Sequence, residues 1–253
     1  MILSVAIIAG NEERHIGAAL QSVNAVADEL VVVIDPRTVD RTAAIAEEHG
    51  ARIVYHPFVS HSQQRNRALD ACRGRWVFFL DADERAMPEL VAELRSVREQ
   101  PERPYVGYWI PRHNLYFGQA LKGGGWYPDH QLRLLLRSYA RYNEAQLVHE
   151  YAQLNGEASK LQGHILHINI ETWNELHEKQ RRYALAEAQT LARAGVRAKW
   201  RNLMLQPLRE VNRRFITWQG YRDGVLGLSL ALIMGYYELL KYVHLKGLNV
   251  CDE

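Results

Sequence analysis

Four short apolar runs fill the first hundred positions, at residues 3–9, 29–35, 51–55 and 75–81, and each is followed by a stretch with helical periodicity. Such runs, apolar on both sides of the pleat, belong to parallel strands covered by helices on both faces. Ile16, Ala19, Leu20 and Val23 fall on one face of a helix over residues 12–27. Asp40 opens a helix that Gly50 stops, and Ser60-His61-Ser62-Gln63 fits a capping box for a helix to Ala71. Pro88 sits at a first helical turn. The fold class is therefore α/β, a mostly parallel Rossmann-like sheet flanked by helices. Ligands bind such sheets at the carboxyl ends of the strands, where Asn11, Asp35 and Asp81 stand.

The middle of the chain changes character. Residues 105–111, 131–137 and 163–168 look like strands between Gly- and aromatic-rich loops. Thr172-Trp173-Asn174-Glu175 fits another capping box, and a long helix runs from there to about Ala194. Residues 224–237 are then free of charge for fourteen positions, too short a run on its own for the ~20 apolar residues of a membrane-spanning helix. The expected organisation is a catalytic domain over residues 1–170, with a nucleotide half to about residue 100 and an acceptor half after it. A helical C-terminal appendage follows over residues 171–253.

Charge is informative through its distribution. The net charge of the 253 residues is +2, yet residues 193–222 hold eight Lys or Arg and one acid, Glu210, so the remainder is net acidic. A basic stretch bearing Trp200 and Trp218, followed by an apolar helix, suits an anionic membrane surface; the alternative is that the apolar helix packs on the domain or in a dimer. The two cysteines, Cys72 and Cys251, have no metal or redox spacing, so no disulfide framework is expected. The apolar N-terminus lacks a basic leader and reads as a first strand, which makes the cytoplasm the expected compartment, peripheral to the cytoplasmic face of the inner membrane.

The sharpest local signal is Asp81-Ala82-Asp83-Glu84. Two carboxylates at i and i+2, just past a buried strand, can share a divalent cation that offsets a diphosphate. A solvated turn would have the same short pattern, and the Trp76-Val77-Phe78-Phe79-Leu80 strand before it favours function. Asp35 can accept hydrogen bonds from a base or ribose, whereas Asp40 reads as a helix cap. Arg65 could meet a phosphate and Gln64 or Asn66 a polar ligand edge; an exposed helix face would look the same. Gly123-Gly124-Gly125 is a flexible stretch leading to Trp126, Tyr127 and Asp129. Aromatic faces suit sugar rings, and a carboxylate beside them could deprotonate an acceptor hydroxyl; a structural turn is the alternative. His149-Glu150 and the pair His164 and His167 could orient a substrate or ligate a metal, or be structural.

These pieces, in this order, resemble glycosyltransferase family 2, the inverting GT-A group, and within it the bacterial branch of lipopolysaccharide core β-glucosyltransferases. The resemblance is carried by Asn11-Glu12-Glu13, the segment 27–35, Asp40-Arg41-Thr42, Gln64-Arg65-Asn66, Leu80-Asp81-Ala82-Asp83-Glu84, Gly124-Gly125-Trp126-Tyr127-Pro128-Asp129 through Leu134, and Val148-His149-Glu150. It implies a UDP-sugar donor, a hexose that is glucose in that branch, and Mg2+ or Mn2+ as cofactor. Ala9, Asn11, Glu12 and Asp35 would hold the nucleoside, Arg65 would sit near the diphosphate, and Gln64 would also be on the donor side. Asp81 would touch ribose or metal and Asp83 would ligate the metal. Asp129 would be the catalytic base, and Trp126, Tyr127, Arg133, His149 and Glu150 would face a saccharide or lipid-linked acceptor. The chain departs from the family pattern at Ala9-Gly10, where a proline-containing turn is usual, and at Pro36-Arg37-Thr38-Val39, where small residues are usual. Both departures touch the nucleoside pocket.

Two other classes compete. A dehydrogenase needs Gly-x-Gly-x-x-Gly after the first strand, and a pyrophosphorylase needs a Gly-rich basic loop; Ala9-Gly10-Asn11-Glu12-Glu13 is neither. A non-enzymatic nucleotide- or nucleic-acid-binding protein could use the basic segment, but no recognised nucleic-acid motif accompanies it, so no nucleic acid is expected. Oligomeric state stays open.

Overall fold

A computed structural model describes residues 1–144 and 151–250, the side chains of residues 249 and 250 excepted. His149, Glu150 and Cys251 lie outside the described residues. The chain divides into two compact units, one of Met1–Arg112 with His130–His167 and one of His113–Asp129 with Ile168–Glu253.

The apolar runs become strands and the periodic stretches become helices. The chain begins β1 (Leu3–Ala9), α1 (Ile16–Val23), β2 (Glu29–Ile34), α2 (Thr42–Glu48), β3 (Arg52–Tyr55) and α3 (His61–Ala71). It continues through β4 (Trp76–Phe79), β5 (Glu84–Ala86), α4 (Pro88–Glu99), β6 (Gly107–Tyr116) and β7 (Gln119–Ala120). Then come β8 (Asp129–Leu136), β9 (Ala140–Tyr142), β10 (Ala152–Leu154), β11 (Ala158–Lys160) and β12 (Ile165–Ile170). Three helices close it: α5 (Trp173–Arg193), α6 (Trp200–Asn212) and α7 (Gly224–Val250).

The main sheet runs β3-β2-β1-β4-β8-β6-β12-β5. Its first four strands are parallel. Antiparallel pairing enters where β8 meets β4 and where β12 meets β5. Side-chain alternation splits the interior of the first unit into two cores. Leu3, Val5 and Ile7 join Trp76 and Phe78 in one, with α1 and α4 supplying Ile16, Leu20, Leu90 and Leu94. Ala6, Val31, Val33, Val77 and Phe79 face the other, with Ala68 and Leu69 of α3. Burial on both faces is why these strands carry almost no polar residue. The Ser60 cap forms as expected, its hydroxyl accepting from the Gln63 N–H at 3.2 Å. Asp40 does act locally, its carboxylate accepting from the Thr42 N–H and hydroxyl and from the Glu13 N–H.

In the second unit α5 opens on the Thr172 hydroxyl, which accepts from the Glu175 N–H at 3.2 Å. It buries Leu176, Gln180, Ala184 and Ala188, one residue per turn. Tyr116, Leu121, Ile170, Leu176 and Leu230 form this unit's core. The last helix runs well beyond the uncharged fourteen residues. There Lys241 pairs with Glu238 at 2.6 Å and with Glu187 at 3.2 Å. By length and composition the helical segment Gly220–Leu248 could cross a membrane, with 33% of its most apolar window buried within the fold.

Candidate active site

At the carboxyl ends of β1 and β2 a cavity of about 510 Å3 opens in the first unit. Ala9, Asn11, Glu12, Asp35 and Gln64, all read from sequence as donor residues, line it, together with Arg37, Thr38, Phe58 and His61. Its rim is tied by loop-to-loop hydrogen bonds. Asn11 adopts a left-handed backbone (φ 57°) and its side chain accepts from the Val39 N–H at 3.0 Å. The Thr42 hydroxyl accepts from the Glu12 N–H at 2.7 Å. Gln64 is buried and clipped to His56, donating to its carbonyl at 2.8 Å, so it shapes the wall more than it offers a free edge. The departure at Arg37 has a structural consequence. Its guanidinium donates to both oxygens of Asp35, and this hydrogen bonding holds the Asp35 carboxyl well below the usual carboxylate range.

Beyond β4 lies a dense ion cluster. Arg133 is buried, at 4% exposure, and donates to both carboxylate oxygens of Asp81 and to Glu84 at 2.8 Å. Glu84, fully buried, also takes Arg112 at 3.0 Å and accepts the Asp81 N–H. The last acid of the motif thus fixes the turn that presents the first. Burial raises the Asp81 pKa, but Arg133 and then Arg65, 3.4 Å away, outweigh it and keep the carboxyl ionised well below the usual range. Arg133, which the resemblance sets on the acceptor side, is thus engaged with Asp81 and Glu84. Asp83 is differently placed: its Oδ2 lies 3.2 Å from Nε2 of His167 on β12. Glu12 responds to the crowding. Burial, followed by the negative charges of Asp83, Asp40 and Asp81, pushes its pKa up to about 7.

In the second unit Asp129 begins β8 and is held by a polar relay. The Asn114 Nδ2 donates to Asp129 Oδ2 at 3.1 Å and to the Trp126 carbonyl at 2.9 Å. Asn169 donates to the Asn114 side-chain oxygen at 3.3 Å, and Lys179 to the Asn169 side-chain oxygen at 2.7 Å. None of these three partners carried a sequence signal; they are single polar residues far apart in the chain. Trp126 packs on Tyr116 at 5.5 Å with the Arg214 guanidinium 4.6 Å from its ring, and Tyr127 stacks on His113 at 4.6 Å.

The glycine run is not flexible, contrary to the expectation from sequence. The Asp223 carboxylate accepts from the Lys122 and Gly123 N–H groups at 2.8 and 3.0 Å, and the Trp218 carbonyl accepts from the Gly124 N–H at 2.7 Å. A Cβ on Gly123 would collide with the Gln219 carbonyl, and one on Gly125 would lie 2.5 Å from the Trp218 ring. Glycine is needed for close approach to a segment ninety residues later, which local sequence cannot reveal.

The parallel first strands with acids at their ends, continued by antiparallel strands, define the GT-A class. The sequence model of Glycosyl transferase family 2 matches residues 4–140. The chain belongs to that family. It is 28% identical over 247 residues to the lipopolysaccharide core biosynthesis glycosyltransferase LpsC of Rhizobium meliloti, covering 94% of this chain and 89% of LpsC. An uncharacterized glycosyltransferase of Rickettsia typhi is 25% identical over 258 residues, covering 98% of this chain and 88% of that protein. Among solved structures, residues 1–349 of S. aureus TarS in complex with UDP align over 100% of this chain and 92% of that one, at 14% identity and a TM-score of 0.49.

Proposed function

We propose that this family 2 enzyme moves a hexose, glucose by its branch of the family, from a UDP-sugar to a saccharide or lipid-linked acceptor of the lipopolysaccharide core type, with inversion. The similarity to LpsC along nearly its whole length supports the acceptor class. The observation that carries the chemistry is the oriented carboxylate of Asp129, held by Asn114 at 3.1 Å. Asp129 takes the proton of the acceptor hydroxyl, whose oxygen attacks the anomeric carbon as the bond to UDP breaks. One base and no protein nucleophile suffice for this single displacement.

The cavity bounded by Asn11, Asp35 and Phe58 is assigned to the nucleoside, and Arg65 to the diphosphate. A divalent Mg2+ or Mn2+ fits the residues present, because Glu12, raised by burial and then by the negative charges of Asp83, Asp40 and Asp81, shares a crowded acidic region with Asp83. Among the described residues no three His, Cys, Asp or Glu side chains form a ready cage. A cation there would be held by one or two carboxylates and completed by donor phosphates. Asp83 is placed on the cation, with Asp81, already bound by Arg133 and Arg65, at the ribose or the cation's edge. Bound there, the cation would offset diphosphate charge and so help UDP leave. Residues 1–170 are the catalytic part in this reading, and the helical remainder holds the enzyme to the cytoplasmic face of the inner membrane.

The test is a thermal-shift and calorimetric titration with UDP-sugars, with and without Mn2+. Wild type binds UDP with Mn2+, Asp83→Ala loses the Mn2+-dependent part, and Asp129→Asn keeps binding but loses transfer. Equal Mn2+-dependent affinity in Asp83→Ala, or wild-type turnover in Asp129→Asn, removes the corresponding role.

A further inference from the structure

A second cavity, of about 370 Å3, lies within the second unit, where Tyr127, Trp218, Gln219, Lys122 and Arg222 converge. Tyr127 and Pro128, the two residues preceding Asp129 in the chain, form part of its wall. Among the described residues its charged lining groups are the cations Lys122 and Arg222, both exposed, and no described carboxylate lines the space beside them.

The walls are built rather than incidental. Gln219 is held in a left-handed backbone (φ 57°) by its neighbours, and Arg222 Nη1 lies 3.4 Å from its side-chain oxygen. Buried Asp223 clamps the Lys122 and Gly123 backbone to this turn. A Cβ on Gly227 would strike the Gly220 carbonyl, so the following helix also fits the turn closely. Trp218 is buttressed by Arg213, 4.5 Å from its ring. Trp218 and Tyr127, the latter stacked on His113 through one face, supply aromatic surface for the C–H side of a pyranose, and two cations supply the charge complement of an anion.

We propose that this cavity is an acceptor subsite selective for an anionic saccharide, one bearing a phosphate or a carboxylate that Lys122 and Arg222 receive while Trp218 and Tyr127 pack on the ring. The proposal rests on the reading of Asp129 as the acceptor-side base and narrows it to a class of acceptor.

The full-length protein is titrated by saturation-transfer NMR with glucose 6-phosphate, glucuronate and neutral methyl β-glucoside. The same samples are titrated with UDP and Mn2+. At least one charged sugar is expected to bind about tenfold more tightly than the neutral one, and whichever wins identifies phosphate or carboxylate as the anion. Lys122→Gln with Arg222→Gln removes that preference, whereas Arg222→Lys alone keeps most of it. Equal binding of neutral and charged sugars by wild type overturns the proposal, as does an undiminished preference in the double variant. Both side chains are exposed, and an unchanged melting temperature shows that the variants fold. If UDP binds and the charged sugars do not, this inference alone fails. If UDP does not bind, the donor reading fails whatever the sugars do.

Discussion

Asn114 donates to Asp129 Oδ2 at 3.1 Å while its own side-chain oxygen accepts from Asn169, which in turn accepts from Lys179. The Asp129 carboxylate, the proposed base, is therefore held by a relay that ends in a cation.

This relay makes Asn114 a positioning residue. Asn114→Ala should lower kcat on the order of tenfold to a hundredfold, since a displacement of about 1 Å can cost that much. KM for the UDP-sugar should change little. An unaltered kcat would remove the relay from the mechanism.

Glu12 predicts a pH dependence of stability. Its folded-state pKa of about 7 exceeds the ordinary value of 4.5, so the native state holds its proton more tightly than the unfolded chain does. That contribution is full below about pH 4.5 and is lost as pH rises through 7. Glu12→Gln should therefore be more stable than wild type at pH 8, by about 1 kcal/mol after allowance for solvent screening, with the gap closing toward pH 4.5. Urea unfolding in EDTA at the two pH values measures it. A gap that is larger at the lower pH contradicts the assignment.

The close contact at Gly123 gives a stability prediction with an internal control. Gly123→Ala should destabilise by about 2–3 kcal/mol, because the added methyl meets the Gln219 carbonyl and backbone cannot swing aside. Gly50→Ala, at φ 77° with open space around it, should cost only about 1 kcal/mol of backbone strain. Equal costs in denaturant titrations would mean that the loop yields.

The helix α6 tests the membrane proposal. Trp200, Met204, Leu205 and Leu208 form one exposed stripe, with Trp200 77% and Leu208 66% accessible, and exposed Lys199, Arg201 and Arg209 flank it. Wild type should float with vesicles containing phosphatidylglycerol, less with pure phosphatidylcholine, and less in high salt. Leu205→Glu with Leu208→Glu should stay unbound at an unchanged melting temperature. Flotation of that variant equal to wild type would rule this face out.

Much of this protein is written locally. The runs at Leu3–Ala9 and Trp76–Phe79 specify buried parallel strands because alternate residues must find apolar partners on opposite faces. Ser60 and Thr172 mark helix starts because a cap is set within four consecutive residues. The acids at strand ends follow from the same topology, and the order of the motifs carries the family. What tertiary structure decided is how side chains distant in sequence share charge and space. Only the fold brings Arg133 to Asp81 and Glu84, His167 to Asp83, and Asn114, Asn169 and Lys179 into line behind Asp129. The glycines at 123–125 look permissive in isolation, and they are instead constrained by Trp218 and Gln219 some ninety residues away. Periodicity and caps are properties of a few consecutive residues, whereas a site is a set of coincidences between segments that meet only once the chain has packed.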